Sequence, residues 1–452
     1  MNIIVVGCGK IGATILANLV LEGHNVIAVD NDPLVIKELT NLYDIMGVCG
    51  NGADCDTLEE AQAKFAELVI AATDSDELNM LCCFLAKRMG AENTVARIRN
   101  PEYNDRSLGF MKQQLDISLA INPELVAARE LYHILKLPSA AKIDTFSVKD
   151  FEMLEIKLKS DSVLDGVRLC DLRSKYKSKF LICAVQRGEN AYIPDGSFEL
   201  KSGDKISITA ARSEIPRLLK EMGILQKQAR NIMIVGGSRT AFYLAKMLSS
   251  AGNKVTVIER DRKLCEEFCE ALPKACIING DGAKQELLIE EGLHSLDAFV
   301  ALTGVDEENI LISSFAYNQN VPKVIAKVNR DELVPLAEQL GLDSIVSPKK
   351  LIADIMVKYA RGLQNSAGSS VETLYKLMDD KVEVLEFKVK SDFPKLNIPF
   401  RELKTKPNTL IAGIMRERKT IIPTGEDMLL ANDKVVVLAA NQRINSLSDI
   451  LK

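Results

Sequence analysis

Short apolar runs alternate with longer amphipathic stretches over the first hundred residues. Residues 2–7 (NIIVVG) are typical of a strand buried on both faces. The next segment places Ile11, Ile15, Leu16 and Leu19 at helical spacing. Further strands are predicted at 26–30, 45–49, 68–72 and 94–98, and further helices at 33–41, 56–63 and 77–89. Strands that alternate with helices predict a parallel, doubly wound sheet.

After Pro138 the pattern changes to short alternating segments, which predict a small α+β unit. The strands of this unit are expected at 154–158, 180–187 and 205–210, and similar strands at 385–389 and 434–440. The polar stretch 364–372 (QNSAGSSVE) predicts a linker within the second half of the chain.

The second half of the chain repeats the first. Residues 231–236 (NIMIVG) match residues 2–7 at an offset of 229, and the same offset relates Asp30 to Glu259. An offset of 230 relates 76–79 (DELN) to 306–309 (DEEN). Further matched pairs are Gly50–Ala53 with Gly280–Ala283, Arg97 with Lys327, Pro123 with Pro348, and Asp204 with Asp433. Collinear matches of this number indicate a duplication.

The fold class predicted from these patterns is α/β, with two doubly wound parallel-sheet Rossmann domains, each followed by a small α+β subdomain. The expected boundaries are 1–138 and 229–363 for the Rossmann domains, and 139–225 and 370–452 for the small subdomains.

Residues Gly7–Gly12 read G-x-G-x-x-G immediately after a strand and at the start of a helix. The first glycine permits the tight turn, the second lets the backbone approach a pyrophosphate, and the third allows close helix–strand packing. Asp30 ends the next strand, where a carboxylate can accept hydrogen bonds from ribose hydroxyls and would repel a 2′-phosphate. The pattern favours NAD or an adenine nucleotide over NADP; the alternative is a glycine-rich turn without a ligand.

The second copy of the motif, Gly236–Ala241 (GGSRTA), is altered. Ser238 replaces the second glycine, where it could bond a phosphate but also crowds the approach, and Glu259 stands in for Asp30. We expect an adenine nucleotide here as well, and the alternative is a vestigial Rossmann unit.

Polar side chains at matched positions of the two halves are candidates for phosphate or subunit contacts. Lys10 and Arg239 lie just inside the helix that follows each glycine turn, where the alternative is a solvated surface charge. The ends of the fourth and fifth strands carry Thr73, Thr303, Arg97 and Lys327. The acidic pairs Asp76–Glu77 and Asp306–Glu307 lie at helix starts, where interaction with the helix dipole is favoured over metal binding.

The composition is that of an ordinary globular protein. The 452 residues are 47% apolar and 26% charged, the net charge is −5, and no basic stripe indicates nucleic-acid binding. No apolar run reaches the ~20 residues that span a bilayer, and the first strand leaves no room for a signal peptide. Ten cysteines without a C-x-x-C pair argue against a zinc site or disulfides and favour the reducing cytoplasm.

The sequence favours binding over catalysis. The chain has three histidines, His24, His133 and His294, and none lies in a predicted small subdomain. One Tyr-x-x-x-Lys, Tyr132 to Lys136, has no counterpart in the second half, and there is no P-loop motif. We therefore expect no catalytic residues; the alternative is an NAD-dependent oxidoreductase with tandem Rossmann domains.

The whole chain resembles the regulatory TrkA family of Trk potassium-uptake systems, which carry paired RCK (KTN, or TrkA-N) domains, each followed by a TrkA-C subdomain. The resemblance rests on the tandem order and on segments 5–12 (VVGCGKIG), 26–30 (VIAVD), 71–79 (AATDSDELN), 95–103 (VARIRNPEY), 193–204 (IPDGSFELKSGD) and 420–437 (TIIPTGEDMLLANDKVVV).

The resemblance implies a cytosolic ring, tetrameric, docked on the inner face of the cell membrane on a TrkH-type potassium-translocating subunit. It also implies that NAD(H) or ATP/ADP binds the Rossmann clefts and gates potassium flux. The implied contacts in the first half are Gly7, Cys8, Gly9, Lys10, Ile11, Gly12, Asp30, Thr73, Asp74 and Arg97. Those in the second half are Gly236, Gly237, Ser238, Arg239, Thr240, Glu259, Thr303 and Lys327.

Overall fold

The computed structural model describes residues 1–101, 103, 105–137, 142–145, 151–159, 162–225, 227–366, 371–378, 381–417, 419–440, 442, 444 and 446–452. Within these residues the chain forms four sheets, two of six strands and two of five. The six-stranded sheets are parallel and each is followed by an antiparallel sheet, which confirms the predicted fold class.

The first parallel sheet has the strand order β3-β2-β1-β4-β5-β6. Its elements are β1 (Asn2–Val6), α1 (Lys10–Leu21), β2 (Asn25–Asp30), α2 (Pro33–Leu42), β3 (Met46–Cys49), α3 (Cys55–Glu60), β4 (Leu68–Ala71), α4 (Asp76–Met89), β5 (Thr94–Arg97), α5 (Asp105–Gln114), β6 (Leu119–Ile121) and α6 (Pro123–Lys136). The order reverses between β1 and β4, so a crevice opens at the carboxyl ends of these two strands.

The first small subdomain is a five-stranded antiparallel sheet with two short helices. Its elements are β7 (Lys142–Thr145), β8 (Phe151–Lys157), α7 (Leu169–Lys175), β9 (Phe180–Arg187), β10 (Asn190–Tyr192), β11 (Lys205–Ala211) and α8 (Ile215–Glu221). The strand order is β10-β9-β11-β8-β7.

The second parallel sheet repeats the first, with the order β14-β13-β12-β15-β16-β17. Its elements are β12 (Asn231–Val235), α9 (Arg239–Ser250), β13 (Lys254–Glu259), α10 (Arg262–Ala271), β14 (Cys276–Asn279), α11 (Gln285–Glu290), β15 (Ala298–Ala301), α12 (Asp306–Asn318), β16 (Lys323–Lys327), α13 (Val334–Gln339), β17 (Ile345–Val346) and α14 (Pro348–Ser366). His294, expected in a loop, lies in a 3-10 turn, Leu293–Ser295.

The second small subdomain comprises β18 (Val371–Leu377), β19 (Val382–Lys388), β20 (Thr409–Arg416), β21 (Lys419–Ile421) and β22 (Lys434–Ala440). Their order, β18-β19-β22-β20-β21, matches the first small subdomain strand for strand. The linker predicted at 364–372 is wrong at both ends, because α14 continues to Ser366 and β18 begins at Val371. Residues 367–370 lie outside the described part of the chain.

The apolar runs form the strands because both faces of each parallel sheet are covered by helices. In β1, Ile3, Ile4, Val5 and Val6 are all buried, as the continuous apolar run predicts. The helices instead place apolar residues on one side only, so that Leu16 and Leu19 of α1 are buried and Leu21 at its end is exposed.

The two Rossmann domains exchange their last helices, α6 and α14. Ile352, Met356 and Ala360 of α14 belong to the same core as Leu16 and Leu19 of α1, in the first half. In the opposite direction, Leu131, Ile134 and Leu135 of α6 pack in one core with Leu244 and Leu248 of α9. Each Rossmann sheet is therefore completed by a helix from the other half, which brings their carboxyl edges together.

Candidate functional site

The crevices of both halves open onto one cavity of about 1020 Å³. From the first half it is lined by predicted site residues Gly7, Gly9, Lys10, Ile11, Asp30, Thr73, Asp74 and Arg97. From the second half it is lined by predicted site residues Ser238, Arg239, Thr240 and Lys327. The other six predicted residues, Cys8, Gly12, Gly236, Gly237, Glu259 and Thr303, do not line it. The first half contributes both a turn and a carboxylate, whereas the second contributes mainly the start of its helix.

The three glycines of the first turn differ in whether the fold itself requires them. Gly7 has φ +82°, and a Cβ there would lie 2.6 Å from the Thr73 backbone nitrogen. A Cβ at Gly12 would lie 1.9 Å from the Gly7 carbonyl oxygen. A Cβ at Gly9 would meet nothing within 4 Å. The fold thus requires Gly7 and Gly12, whereas Gly9 leaves open space over the turn.

Backbone amides at the start of α1 are available to an anion. Gly9 is the N-cap residue, and no side chain caps the helix. The first N–H groups of a helix lack intrahelical partners and carry the positive end of its dipole. Such an end is suited to a phosphate group.

Asp30 is tied to the glycine turn by two hydrogen bonds. Its Oδ2 accepts from the Cys8 backbone N–H (2.6 Å) and its Oδ1 from the Asp32 N–H (2.9 Å). The carboxylate is half-buried and lines the cavity. Burial, and then the neighbouring Asp30, raise the pKa of the Cys8 thiol to about 12. Cys8 is therefore a packing residue with no reactive thiolate at neutral pH.

The second turn is closed by its own side chains. Ser238 is the N-cap of α9, and its hydroxyl accepts a hydrogen bond from the Ala241 N–H (3.3 Å). Glu259 accepts from the N–H groups of Gly237 and Asp261. A Cβ at Gly237 would come within 2.9 Å of the Glu259 carboxylate and of Leu264. The Glu259 bonds repeat those of Asp30, so the two turns differ in the cap: the Ala241 amide is bonded to Ser238, whereas no side chain caps α1.

Asn79 and Asn309 are site residues that the sequence matched between the halves but to which it assigned no role. Asn79 is fully buried; its Oδ1 accepts from the Thr73 N–H and hydroxyl (2.8 and 2.7 Å), and its Nδ2 donates to the carbonyl of Arg97 (2.9 Å). Asn309 makes the same backbone bonds to Thr303 and Lys327. Each amide joins the ends of two strands at the cavity.

The acidic residues at the starts of α4 and α12 do more than favour the helix dipole. Asp76 lies in the first turn of α4, as predicted, while Ser75 caps the helix. The Asp76 Oδ2 accepts from the backbone N–H groups of Arg99 (2.8 Å) and Asn100 (2.7 Å). Asp306 bonds the amides of residues 329 and 330 in the same way. These carboxylates fix the loop that follows the fifth strand.

Two arginines converge on the first cleft. Arg97 is 8% exposed and donates long hydrogen bonds to the carbonyls of Ala72 and Thr73 (3.5 and 3.4 Å), and its Nη atoms lie 3.8–3.9 Å from carboxylate oxygens of Asp74 and Glu124. Burial, and then the nearby Arg99, lower the pKa of Arg97, although it stays a cation at neutral pH. Because these contacts are long, the positive charge of the Arg97 guanidinium is available to a bound anion.

Four further charged residues line the cavity without a role predicted from the sequence: Asp32, Arg99, Glu124 and Lys349. Arg99 corresponds to Asn329, and Glu124 to Lys349, in the two halves. Burial lowers the pKa of Lys327, whose Nζ lies 3.5 Å from the Leu302 carbonyl oxygen. A cation replaced by a neutral amide at one position, and a carboxylate replaced by an ammonium group at the other, make the two sides of the cavity electrostatically different.

Residues that could have suggested an enzyme lie elsewhere. Among the described residues that line the cavity there is no histidine, tyrosine or cysteine. His24 is buried beside the chain start, where burial lowers its pKa. Tyr132 and Lys136 share α6, and the Lys136 Nζ lies 4.6 Å from the Tyr132 ring centroid.

Two family models match the chain, one for each kind of domain. The TrkA-N domain matches residues 3–123 and 232–348, and the TrkA-C domain matches residues 153–223 and 384–452. The chain belongs to the TrkA family. This TrkA-family chain is accordingly a regulatory protein of potassium transport, and the predicted resemblance is confirmed.

Relatives of this TrkA-family chain span its length. It is 29% identical to Trk system potassium uptake protein TrkA homolog 2 of Methanosarcina mazei, over 100% of both chains. It is 30% identical to TrkA homolog 1 of the same organism, over 97% of each. It is also 29% identical to Trk system potassium uptake protein TrkA of Vibrio alginolyticus, over 98% of this chain and 96% of the relative.

Solved structures share the fold of this TrkA-family chain. The GsuK RCK domain has a TM-score of 0.64 at 16% identity, over 97% of this chain and 92% of that one. The GsuK channel bound to NAD has a TM-score of 0.63 at 15% identity, over 97% and 77%. The predicted RCK fold is therefore confirmed.

Membrane-spanning helices and metal-binding clusters are both absent from the described part of the chain. No helix there combines the length and apolar character needed to cross a bilayer. The same residues contain no group of three or more His, Cys, Asp or Glu side chains placed to hold a metal ion.

Proposed function

We propose that this chain is a cytosolic gating subunit that binds NAD(H) or ATP/ADP and controls potassium flux through a TrkH-type membrane subunit. The observation that carries the proposal is the shared cavity, in which an adenosine-type cleft of the first half faces cations of the second half. A ligand in this position contacts both halves, so its binding energy depends on how the halves are arranged.

The ligand is an adenine nucleotide held in the first cleft. Asp30 is placed to accept hydrogen bonds from ribose hydroxyls, and the uncapped start of α1 is placed to receive phosphates. Structures of the GsuK channel bound to NAD and of GsuK bound to ADP support this class of ligand. The self-capped second turn favours the first cleft as the principal site.

The proposed mechanism is linkage between nucleotide binding and the arrangement of the ring. A nucleotide shifts a conformational equilibrium only by its differential affinity for the two states. Coupling energies of this kind are typically about 1–3 kcal/mol. Phosphates that touch Arg239 across the cavity would supply that difference. The assembly is a tetrameric ring docked peripherally on the inner face of the cell membrane.

We propose binding without chemistry. The described lining residues include no histidine, tyrosine or cysteine, and the lining carboxylates Asp30 and Asp74 are engaged by backbone N–H groups and by Arg97, respectively. A dehydrogenase would oxidise NADH when offered carbonyl compounds, and steady absorbance by NADH over such a panel is the expected result.

Arg239→Ala is expected to weaken binding of ADP and ATP about tenfold, since a hydrogen bond to a charged group contributes about 1.5–3 kcal/mol and Arg239 is solvent-exposed. Isothermal titration on the full chain measures the change. The control is Lys246→Ala, an exposed cation of the same helix that does not line the cavity. Equal affinities for the two variants would show that Arg239 does not contact the phosphates.

The gating proposal itself is tested with vesicles that contain a TrkH-type subunit. Potassium flux is measured with and without the full-length chain, and with NADH, NAD, ATP or ADP added. The expected result is a nucleotide-dependent change that requires the chain. Flux that responds to the chain but to none of the nucleotides would overturn the proposal.

A further inference from the structure

A tyrosine of the second half is hydrogen-bonded to the loop that follows β5 in the first half. Tyr243, on α9, donates its hydroxyl hydrogen to the Arg99 carbonyl (3.2 Å) and accepts a hydrogen bond from the Asn122 Nδ2 (3.1 Å). Asn122 Nδ2 also lies 3.3 Å from the Arg99 carbonyl oxygen, and its Oδ1 caps α6 by accepting from the Leu125 N–H. One phenol therefore joins the loop after β5 to the interface of α6 and α9.

The loop held by Tyr243 is the one that carries the cavity cations. Asp76 and Asn122 hold the backbone of Arg99 from within the first half, at its amide and its carbonyl, respectively. Tyr243 holds the same carbonyl from the second half. The Arg99 guanidinium lines the cavity and donates to the Asp74 carbonyl. The hydrogen bond from Tyr243 therefore ties the backbone of a cavity-lining arginine to α9.

The bridge exists on one side of the pseudo-symmetric pair only. The residue equivalent to Tyr243 in α1 is Thr14, whose shorter side chain donates its hydroxyl to the Lys10 carbonyl within its own helix (2.8 Å). Ser347 takes the place of Asn122, and Asn329 that of Arg99. The two halves thus share the fold, but the hydrogen bonds that join Tyr243, Asn122 and Arg99 occur at the cleft whose helix α1 is uncapped and have no counterpart at the equivalent residues.

The protonation state of the phenol suits a donor. Burial raises the pKa of Tyr243, with the hydrogen bond from Asn122 acting in the opposite direction. The hydroxyl is consequently protonated at neutral pH and free to donate to the carbonyl.

We propose that Tyr243 is a positioning residue through which the second half sets the nucleotide affinity of the first cleft. The proposal rests on the proposed function, in that the first cleft takes an adenine nucleotide. Coupling between two equilibria is reciprocal, so a nucleotide that draws in Arg99 also acts on α9, whose first residues line the same cavity. Tyr243 touches no ligand in this scheme and acts through the Arg99 backbone.

The test is Tyr243→Phe in the full chain, with ADP and NADH as probes. Loss of one hydrogen bond is expected to lower the affinity for both probes about three- to tenfold. Hydrogen exchange measured with and without each probe gives the second readout. In the wild-type chain the probes are expected to slow exchange of the α9 amides, including those of residues 243–250, which do not line the cavity. In the variant the slowing over residues 243–250 is expected to disappear, while that of the α1 amides persists.

A matched control removes another phenol hydroxyl between the halves. Tyr359, on α14, bonds Ser118 of the first half, and neither residue lines the cavity. Tyr359→Phe is expected to leave both probe affinities and the α9 response unchanged. If Tyr243→Phe behaves like Tyr359→Phe while the wild-type chain binds the probes, the role of Tyr243 is wrong and the nucleotide site stands. If the wild-type chain binds neither probe, the proposed function fails and Tyr243 loses its role with it.

Discussion

Gly9→Ala is expected to remove most of the nucleotide affinity of the first cleft and to leave the fold intact. The backbone at Gly9, with φ −63° and ψ −167°, is open to any residue, and a Cβ there would meet no protein atom within 4 Å. It would instead occupy the space through which a pyrophosphate approaches the turn. The expected loss is about 30- to 100-fold, or about 2–3 kcal/mol at about 1.4 kcal/mol per tenfold.

Titration of the variant with NADH and ADP, beside a thermal unfolding curve without nucleotide, measures the two effects separately. Gly12→Ala is the contrasting variant, because its Cβ would lie 1.9 Å from the Gly7 carbonyl oxygen and must disturb the turn itself. It is expected to lose thermal stability as well as binding. An unfolding curve like that of the wild type together with unchanged affinity for Gly9→Ala would place the phosphates elsewhere.

Asp433→Ala is expected to destabilise the second small subdomain by about 3 kcal/mol. This value lies at the lower end of the range for breaking a buried ion pair, because the Arg416 side chain is one-third exposed. The Asp433 carboxylate is 2% exposed and accepts from the Arg416 Nε (3.0 Å) and Nη2 (2.9 Å), and from the Leu430 N–H (2.8 Å). Its removal leaves a guanidinium and an amide without their acceptor.

Unfolding in urea, followed by hydrogen exchange in β20 and β22, measures this loss locally, because a four-domain chain does not unfold in one step. Glu426→Ala is the control in the same subdomain. It breaks an Arg401 pair in which both side chains are more than half exposed, and the expected cost is below about 1 kcal/mol. Similar costs for the two variants would mean that burial adds nothing to the Asp433 pair.

The same pair occurs in the first small subdomain, between Arg187 and Asp204. The sequence matched Asp204 to Asp433 by position alone, without identifying their partners. The buried arginine–aspartate pair therefore occurs in both small subdomains. The repeat in the sequence located its aspartates but not their arginine partners.

The apolar periodicity and the repeat were sufficient to predict the sheets. Apolar runs such as 3–6 and 232–235 leave no polar face, and their short length before a glycine turn favours strands covered on both sides over helices. The glycine turns could also be predicted locally, because a tight turn before a helix needs glycine wherever φ is positive. The carboxylates Asp30 and Glu259 could be located because each ends the strand that follows a glycine turn. The linker at 364–372 was wrong because polar residues also form the last turn of a helix, as they do in α14.

Tertiary structure alone decided which helix completes which sheet. An amphipathic pattern shows that α6 and α14 have an apolar side but not which core receives it, and both helices cross to the other half. That exchange places Arg239, Lys349 and Tyr243 beside a cleft whose residues lie more than a hundred positions earlier in the chain. Local sequence fixes the backbone conformation through steric limits and through the burial of apolar side chains. The contacts between residues more than a hundred positions apart depend instead on how the helices pack, which a short sequence pattern does not specify.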